Sequence, residues 1–331
     1  MHPFARFIQI LGKGRNGMRA LTQEEAYEAM QMIACYDVEP EQIGAFLMLM
    51  RVKEETPEEV AGFVRALRES LPLRDFEVRP AIDWAAYAGK KRQLPWFLLA
   101  ALVVAGRGYP VFMHGMSLDD DRIYVPEALD ALDLEASGSM QAAVNRLQSN
   151  AFAYLPISKF SALTAQLIAT RQLLGVRPPL NTVARMLNPL AAPLCLMGVF
   201  HPNFAAIHRQ AAQLLEQPAA LICKGEGGEF ERIPDRAVEL NGVSAGRDWL
   251  ETWEALVKPG QTIRSERLNL RHFREVWDGD AEDPYGEMAV TGTLALVVRA
   301  LGLAGDAQSA HAMAGLWWRE RHQHGLVREA V

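Results

Sequence analysis

The stretch from Asp83 to Gly115 limits the fold more than any other part of the chain. It reads Asp83-Trp-Ala-Ala-Tyr-Ala-Gly-Lys-Lys-Arg-Gln-Leu-Pro-Trp-Phe97, continues as an unbroken apolar run, and ends in Tyr109-Pro-Val-Phe-Met-His-Gly115. A strand-like start, a turn at Gly89 with three cations, a helix entered through Pro95 and a second apolar strand make a β-loop-α-β unit. In an open α/β sheet such a loop lies at the carboxyl end of a strand. A phosphate there is held by backbone N–H groups, a helix N-terminus and nearby cations. Gly89, Lys90, Lys91 and Arg92 are therefore the first candidate phosphate contacts. A tight phosphate cradle calls for several glycines, because side chains keep the backbone at a distance. This loop has one glycine and three long cations, a set that suits polymeric phosphate better than a snug pyrophosphate nest. The plainer alternative is a solvated turn.

The 331 residues are half hydrophobic, enough for one large or two unequal domains and incompatible with a disordered chain. A formal charge of -6 excludes a protein that binds polyanions with its whole surface, so any nucleic-acid site is a local basic patch. Cys35, Cys195 and Cys223 lie far apart in apolar surroundings, as reduced core residues do. No apolar run reaches transmembrane length, and Met1 to Ala20 lacks a signal-peptide layout; a cytoplasmic protein without membrane partners is expected.

Thr22-x-x-Glu25 is a capping box opening a helical pattern at Ala26, Ala29, Met30 and Ile33. Glu39-Pro40 and Thr56-Pro57-Glu58-Glu59 open two further helices, giving a small all-α unit over residues 1–75. From residue 76 to 331 the pattern changes. Strand-like Val111 to His114, Leu196 to Phe200 and Ala220 to Lys224 alternate with helical stretches at Pro126 to Leu132, Met140 to Leu147, Ser161 to Leu174 and Pro202 to Leu215. That alternation implies a mostly parallel central sheet covered by helices on both faces. After Glu229 the chain is less regular until a helix expected from Ser265, in which Arg264, Arg267, Arg271 and Arg274 fall along one side. Helices over Met288 to Leu301 and Asp306 to Arg321 close the chain.

Several stretches resemble glycosyltransferase family 3, which contains anthranilate phosphoribosyltransferase (TrpD) and the nucleoside phosphorylases. Leu21 to Leu71, with Gln42-Ile-Gly-Ala-Phe-Leu-Met-Leu-Met-Arg51, is similar to the family's helical N-terminal domain. Leu187-Asn-Pro-Leu190, Leu196-x-Gly198-Val-Phe-x-Pro202 and Cys223-Lys-Gly-Glu-Gly227 resemble three of its later segments. The resemblance implies a homodimer joined through the helical domain, and a mid-chain helix near residues 171–186 added to that domain. Arg171 matches the arginine that contacts anthranilate in the enzymes. His114 and Gly115 match the histidine and glycine of "KHGN", whose lysine and asparagine are missing here. The pyrophosphate loop "GTGGD" corresponds to Tyr87-Ala-Gly89-Lys-Lys91, and the magnesium-carrying acidic pair falls at Glu229-Phe230, leaving one carboxylate, so that a metal is expected near Glu226 and Glu229. These losses resemble the YbiB-type paralogues, a group that binds nucleic acid as dimers.

Each signal has a bland counterpart. The arginine row is also what the wet face of an amphipathic helix looks like, His114 fits a histidine satisfied by local hydrogen bonds, and paired tryptophans at helical spacing are usually core. Lys224 to Glu229 also suits a tight connection after a strand. The expected function is a non-catalytic, largely sequence-independent nucleic-acid binder that needs no cofactor. Its phosphate contacts are Gly89, Lys90, Lys91, Arg92, Arg264, Arg267, Arg271 and Arg274. The alternative is a phosphoribosyltransferase using phosphoribosyl pyrophosphate and Mg²⁺, with His114, Gly115 and Arg171 on substrate and Glu226 and Glu229 on the metal. A small-nucleotide sensor that keeps the cleft without the chemistry is a third expectation.

Overall fold

The computed structural model describes residues 1–14, 16–72, 76, 78–119, 121–258 and 268–323. Four helices come first: α1 (Ala5–Gly12), α2 (Gln23–Ala34), α3 (Pro40–Lys53) and α4 (Pro57–Ser70). Both capping boxes form as the sequence predicts. The Thr22 hydroxyl accepts from the Glu25 N–H, and the Thr56 hydroxyl accepts from the Glu59 N–H. The second box carries more than its own helix. The buried Glu59 carboxylate accepts from the N–H groups of Thr56 and of Leu21, both at 2.8 Å, and pairs with Lys53 at 2.7 Å. One side chain thus joins the entry to α2, the end of α3 and the start of α4.

The larger unit then runs β1 (Ile82–Ala86), α5 (Trp96–Gly106), β2 (Val111–Gly115), α6 (Val125–Asp130), α7 (Met140–Asn150), β3 (Phe152–Pro156), α8 (Ala162–Ala169), α9 (Arg171–Leu174), α10 (Leu180–Ala184), β4 (Leu194–Val199), α11 (Asn203–Leu214), β5 (Ala219–Lys224), β6 (Val238–Ser244), β7 (Arg247–Trp253), α12 (Leu270–Asp278), α13 (Pro284–Ala300) and α14 (Ala307–Arg319). The seven strands order as β3-β2-β1-β4-β5-β6-β7. The first five are parallel, and β6 and β7 extend the sheet as an antiparallel hairpin. A helical domain beside a mostly parallel α/β domain is what the residue pattern predicts.

Strand β1 shows how period-two alternation builds two cores. Ala85 packs, with Tyr87 just beyond the strand, in the core that includes the N-terminal helices, whereas Ile82, Trp84 and Ala86 pack against α5, α13 and α14. Helix α5 is buried from Trp96 to Ala105, which explains why its sequence lacks a polar stripe. Because β2 and β4 flank β1 on opposite sides, the order reverses at β1. That reversal opens a crevice beyond the carboxyl ends of β1 and β4.

Three expectations change. The helix expected near 171–186 is two short ones, α9 and α10, separated by Gly175 in the left-handed region and by Pro178 and Pro179. Just after α10, the carbonyls of Met186 and Leu187 accept from the Arg68 guanidinium of α4, each at 2.8 Å. Cys35 is exposed at the end of α2 rather than in a core. The irregular stretch after Glu229 contains the β6–β7 hairpin, whose turn is made by Ala245 and Gly246, both with positive φ. No helix among the described residues is long and apolar enough to cross a membrane. Replacing Glu59 by Ala leaves Lys53 without its partner and two N–H groups unpaired. Thermal melts should show a loss of about 3 kcal/mol, with the helical domain the first part to lose amide-exchange protection.

Candidate functional site

The loop after β1 sits at the crevice, held by chain neighbours rather than by ligand-ready side chains. Lys90 and Ile123 exchange both backbone hydrogen bonds, at 2.7 and 2.8 Å. Gly89 has φ +64°, and a Cβ there would lie 2.7 Å from the Tyr124 ring, so glycine is required both for the turn and for the approach.

Lys90 does not face solvent, contrary to its expected role as a phosphate contact. It is fully buried, and its ammonium lies 2.5 Å from Glu231 and 2.9 Å from Glu226. Burial pulls its pKa down, but the two carboxylates outweigh that and the pKa rises. Glu231 is also fully buried; burial pushes its pKa up to about 7 against the pull of Lys90. Its second oxygen accepts from the Phe97 N–H at 2.8 Å, so the N-terminus of α5 is capped from inside the chain.

Glu229 fills the other anion seat. Its Oε1 accepts from the N–H groups of Ala88 and Gly89 at 2.6 and 2.7 Å. The side chain is buried, Oε2 has no hydrogen-bond partner, and burial raises its pKa against the pull of Arg185. The residues expected to carry magnesium do not fit a divalent cation in this arrangement. Glu226 is spent on Lys90 and Glu229 on backbone N–H groups, and no three-residue cluster of metal-ligand type exists among the described residues. No chemical step is therefore assigned to a metal.

The remaining basic candidates are dispersed. Lys91 is exposed and pairs with Asp121, while Arg92 is exposed with no ion pair to a described residue. On α12, Arg271 pairs with Glu275 at 2.9 Å, and Arg274 with Asp133 and Asp278. Arg264 and Arg267 lie outside the described residues. Trp317 and Trp318 are buried on α14 as the core reading expects, whereas Trp249 and Trp253 lie on strand β7, Trp253 buried and Trp249 half-buried beneath Arg299.

His114 has an acidic partner that the sequence alone does not reveal. Its Nε2 lies 3.0 Å from Asp83 on the neighbouring strand and its Nδ1 lies 2.6 Å from the Tyr87 hydroxyl. Facing a carboxylate, Nε2 donates, so Nδ1 accepts from Tyr87. Gly115 ends β2, where a Cβ would be 1.9 Å from the Ala86 carbonyl; neither residue presents a free group.

Arg171 leads to the open part of the crevice. With Tyr87, Ala88, Leu118, Asp119, Tyr124, Arg177, Asn181 and Arg185 it lines a small cleft of about 40 Å³, open to solvent. Asp119 pairs with Arg171 at 3.0 Å and with Arg122 at 3.5 Å. Arg122 also donates to the Ala88 carbonyl at 3.0 Å, tying the cleft wall to the β1 loop. Arg185 donates to the carbonyls of Asn181 and Gly198, with its guanidinium 5.7 Å from the Tyr87 ring centre. Arg177 has no ion pair to a described residue. Partial burial, then repulsion from Arg171 and Arg122, holds its pKa below the ordinary arginine value. Three lining arginines face one lining carboxylate, so the cleft is built for an anion. Sequence reasoning does not single out Arg177 and Arg185. They stand on either side of α10, a segment expected only as helical scaffold. Removing the central cation by Lys90→Met leaves Glu226 and Glu231 facing each other in a buried site. Denaturant unfolding should show a loss of about 3–5 kcal/mol at alkaline pH, part of which returns as pH falls and Glu231 takes up a proton, at a pH above its wild-type pKa of about 7 because the lysine's pull is gone.

The helical bundle domain of the glycosyl transferase family matches residues 8–71. The chain is 29% identical over 209 residues to the anthranilate phosphoribosyltransferase of Desulfitobacterium hafniense strain Y51, a match spanning 63% of this chain and 62% of the relative. It is 31% identical over 225 residues to that of Thermus thermophilus, spanning 66% and 67%. Over the whole chain the fold superimposes on the crystal structure of a Thermus thermophilus anthranilate phosphoribosyltransferase with a TM-score of 0.78 at 22% identity, covering 98% and 97% of the two chains. The Saccharomyces cerevisiae enzyme in complex with PRPP and Mg gives 0.76 at 14% identity, covering 98% and 96%. Overall fold and sequence agree, and the chain belongs to glycosyltransferase family 3, among the homologues of anthranilate phosphoribosyltransferase.

Proposed function

We propose that the protein is a phosphoribosyltransferase of the anthranilate type, with the arginine cleft as its acceptor site. The observation that carries this reading is the convergence of Arg171, Arg177 and Arg185 on one cleft with Asp119 as the opposing carboxylate. Two aromatic walls, Tyr87 and Tyr124, suit a flat acidic acceptor, and relatives named as anthranilate phosphoribosyltransferases support the reaction class. In that reaction an acceptor amine forms a bond to the ribose anomeric carbon, the carbon–oxygen bond to pyrophosphate breaks, and the amine's proton passes to solvent. The arginines orient the acceptor's anionic group, and a departing pyrophosphate would find the backbone N–H groups of Ala88 and Gly89 only once the Glu229 carboxylate has left them. The test is loss of anthranilate with phosphoribosyl pyrophosphate, followed by fluorescence. Turnover is expected, and Arg177→Ala, at an exposed position, should lower kcat/KM about 10–100-fold, the worth of one charge-assisted hydrogen bond. Absence of turnover together with absence of calorimetric binding of either compound would overturn this reading.

A second reading, binding of polymeric phosphate by paired copies, is favoured by one observation. Arg92, on the loop that borders the cleft, is exposed and without an ion-pair partner among the described residues. Fluorescence anisotropy with single-stranded DNA at two salt concentrations tests it; affinity that falls steeply with salt and weakens in Arg92→Ala is the expected result. Salt-independent binding, or none, removes it.

A further inference from the structure

The chain carries an anion nest already filled by one of its own side chains. We propose that Glu229 is a tethered competitor for the phosphate end of the ligand: its carboxylate occupies the Ala88–Gly89 nest, and a pyrophosphate-bearing donor binds only by displacing it. This deepens the transferase reading and rests on it for the ligand class alone.

Successive backbone N–H groups around a residue with positive φ form a concavity that binds anionic oxygens. Here the two donors come from Ala88 and Gly89, and one carboxylate oxygen takes both, at 2.6 and 2.7 Å. The other oxygen, Oε2, is buried and unpartnered. A phosphate group has more oxygens than this carboxylate has and would make the same contacts. The competitor is anchored from behind. Gly225 packs so closely on the Glu229 carbonyl that a Cβ there would lie 1.7 Å from it, and two residues on Glu231 is locked to Lys90 and to the Phe97 N–H. The backbone is therefore fixed and only the Glu229 side chain can leave the nest. Competition is intramolecular, so its effective concentration is set by the side chain's short reach and is high.

The test is titration calorimetry of the full-length protein with inorganic pyrophosphate alone, without acceptor. Glu229→Ala empties the nest, and pyrophosphate should bind it at least about tenfold tighter than wild type, the worth of one charge-assisted hydrogen bond or more. Glu229→Gln keeps an accepting oxygen on both N–H groups and should remain close to wild type. Formate should raise the thermal midpoint of Glu229→Ala by refilling the nest and leave that of Glu229→Gln unchanged. If Glu229→Ala does not fold, Glu229→Asp draws the carboxylate back by one methylene and takes its place in the titration. A folded Ala or Asp variant with wild-type pyrophosphate affinity and no formate effect overturns the proposal. That outcome leaves the arginine cleft untouched, whereas a wild type that neither turns over nor binds anthranilate or phosphoribosyl pyrophosphate, but whose Ala variant gains pyrophosphate affinity, overturns the transferase reading and keeps the nest.

Discussion

The buried ammonium of Lys90 is the contact on which the site depends. It holds Glu226 and Glu231, and through them fixes the segment after β5 against the loop after β1. Without that cation, two carboxylates would meet in a space from which water is excluded, at a cost of several kcal/mol per unpaired ion. With it, Glu231 is free to cap α5 and Glu229 is carried to the nest at Ala88 and Gly89. The two features of a strand-loop-helix unit that attract anions, its backbone nest and its helix N-terminus, are both occupied by carboxylates of the same short segment.

This occupancy moves the open, positively charged space away from the loop. The cleft lies instead between that loop and the segment carrying Arg171, Arg177 and Arg185, which packs on the helical domain through Arg68. Its shape therefore depends on how the helical unit sits against the sheet. Asp119 and Arg122 span the gap, pairing with each other and tying to Arg171 and the Ala88 carbonyl. Charge in the cleft is unbalanced because the carboxylates of Glu226, Glu229 and Glu231 are drawn inward, to Lys90 and to backbone donors.

Much of the fold is legible in the residues. Thr22 with Glu25 and Thr56 with Glu59 announce helix starts because capping is local, and the apolar run from Trp96 announces burial because no polar stripe interrupts it. Strand β3 is not legible: Phe152 to Pro156 is five residues long and follows α7 directly, so neither length nor punctuation separates it. The β6–β7 hairpin is obscured because its glycines resemble a loop, although Ala245-Gly246 is a turn between alternating segments. The site is less legible for a different reason. Three adjacent cations look alike in sequence, yet Lys90 points into the protein while Lys91 and Arg92 point out, a choice made by carboxylates more than a hundred positions away. His114 likewise acquires its acid, Asp83, only through strand pairing.

That separation has a consequence for how the chain is made. Lys90 is synthesised 141 residues before Glu231, its partner in the buried pair. Until β5 and the segment behind it have left the ribosome, the loop after β1 holds a hydrated lysine and an uncapped helix start, and the β1–α5–β2 unit lacks its closing contacts. Domains form N-terminal first during synthesis, and contacts of long sequence separation come late. The helical unit, whose capping boxes and Glu59 contacts span at most a few tens of residues, can therefore be complete while the crevice is still open and wet.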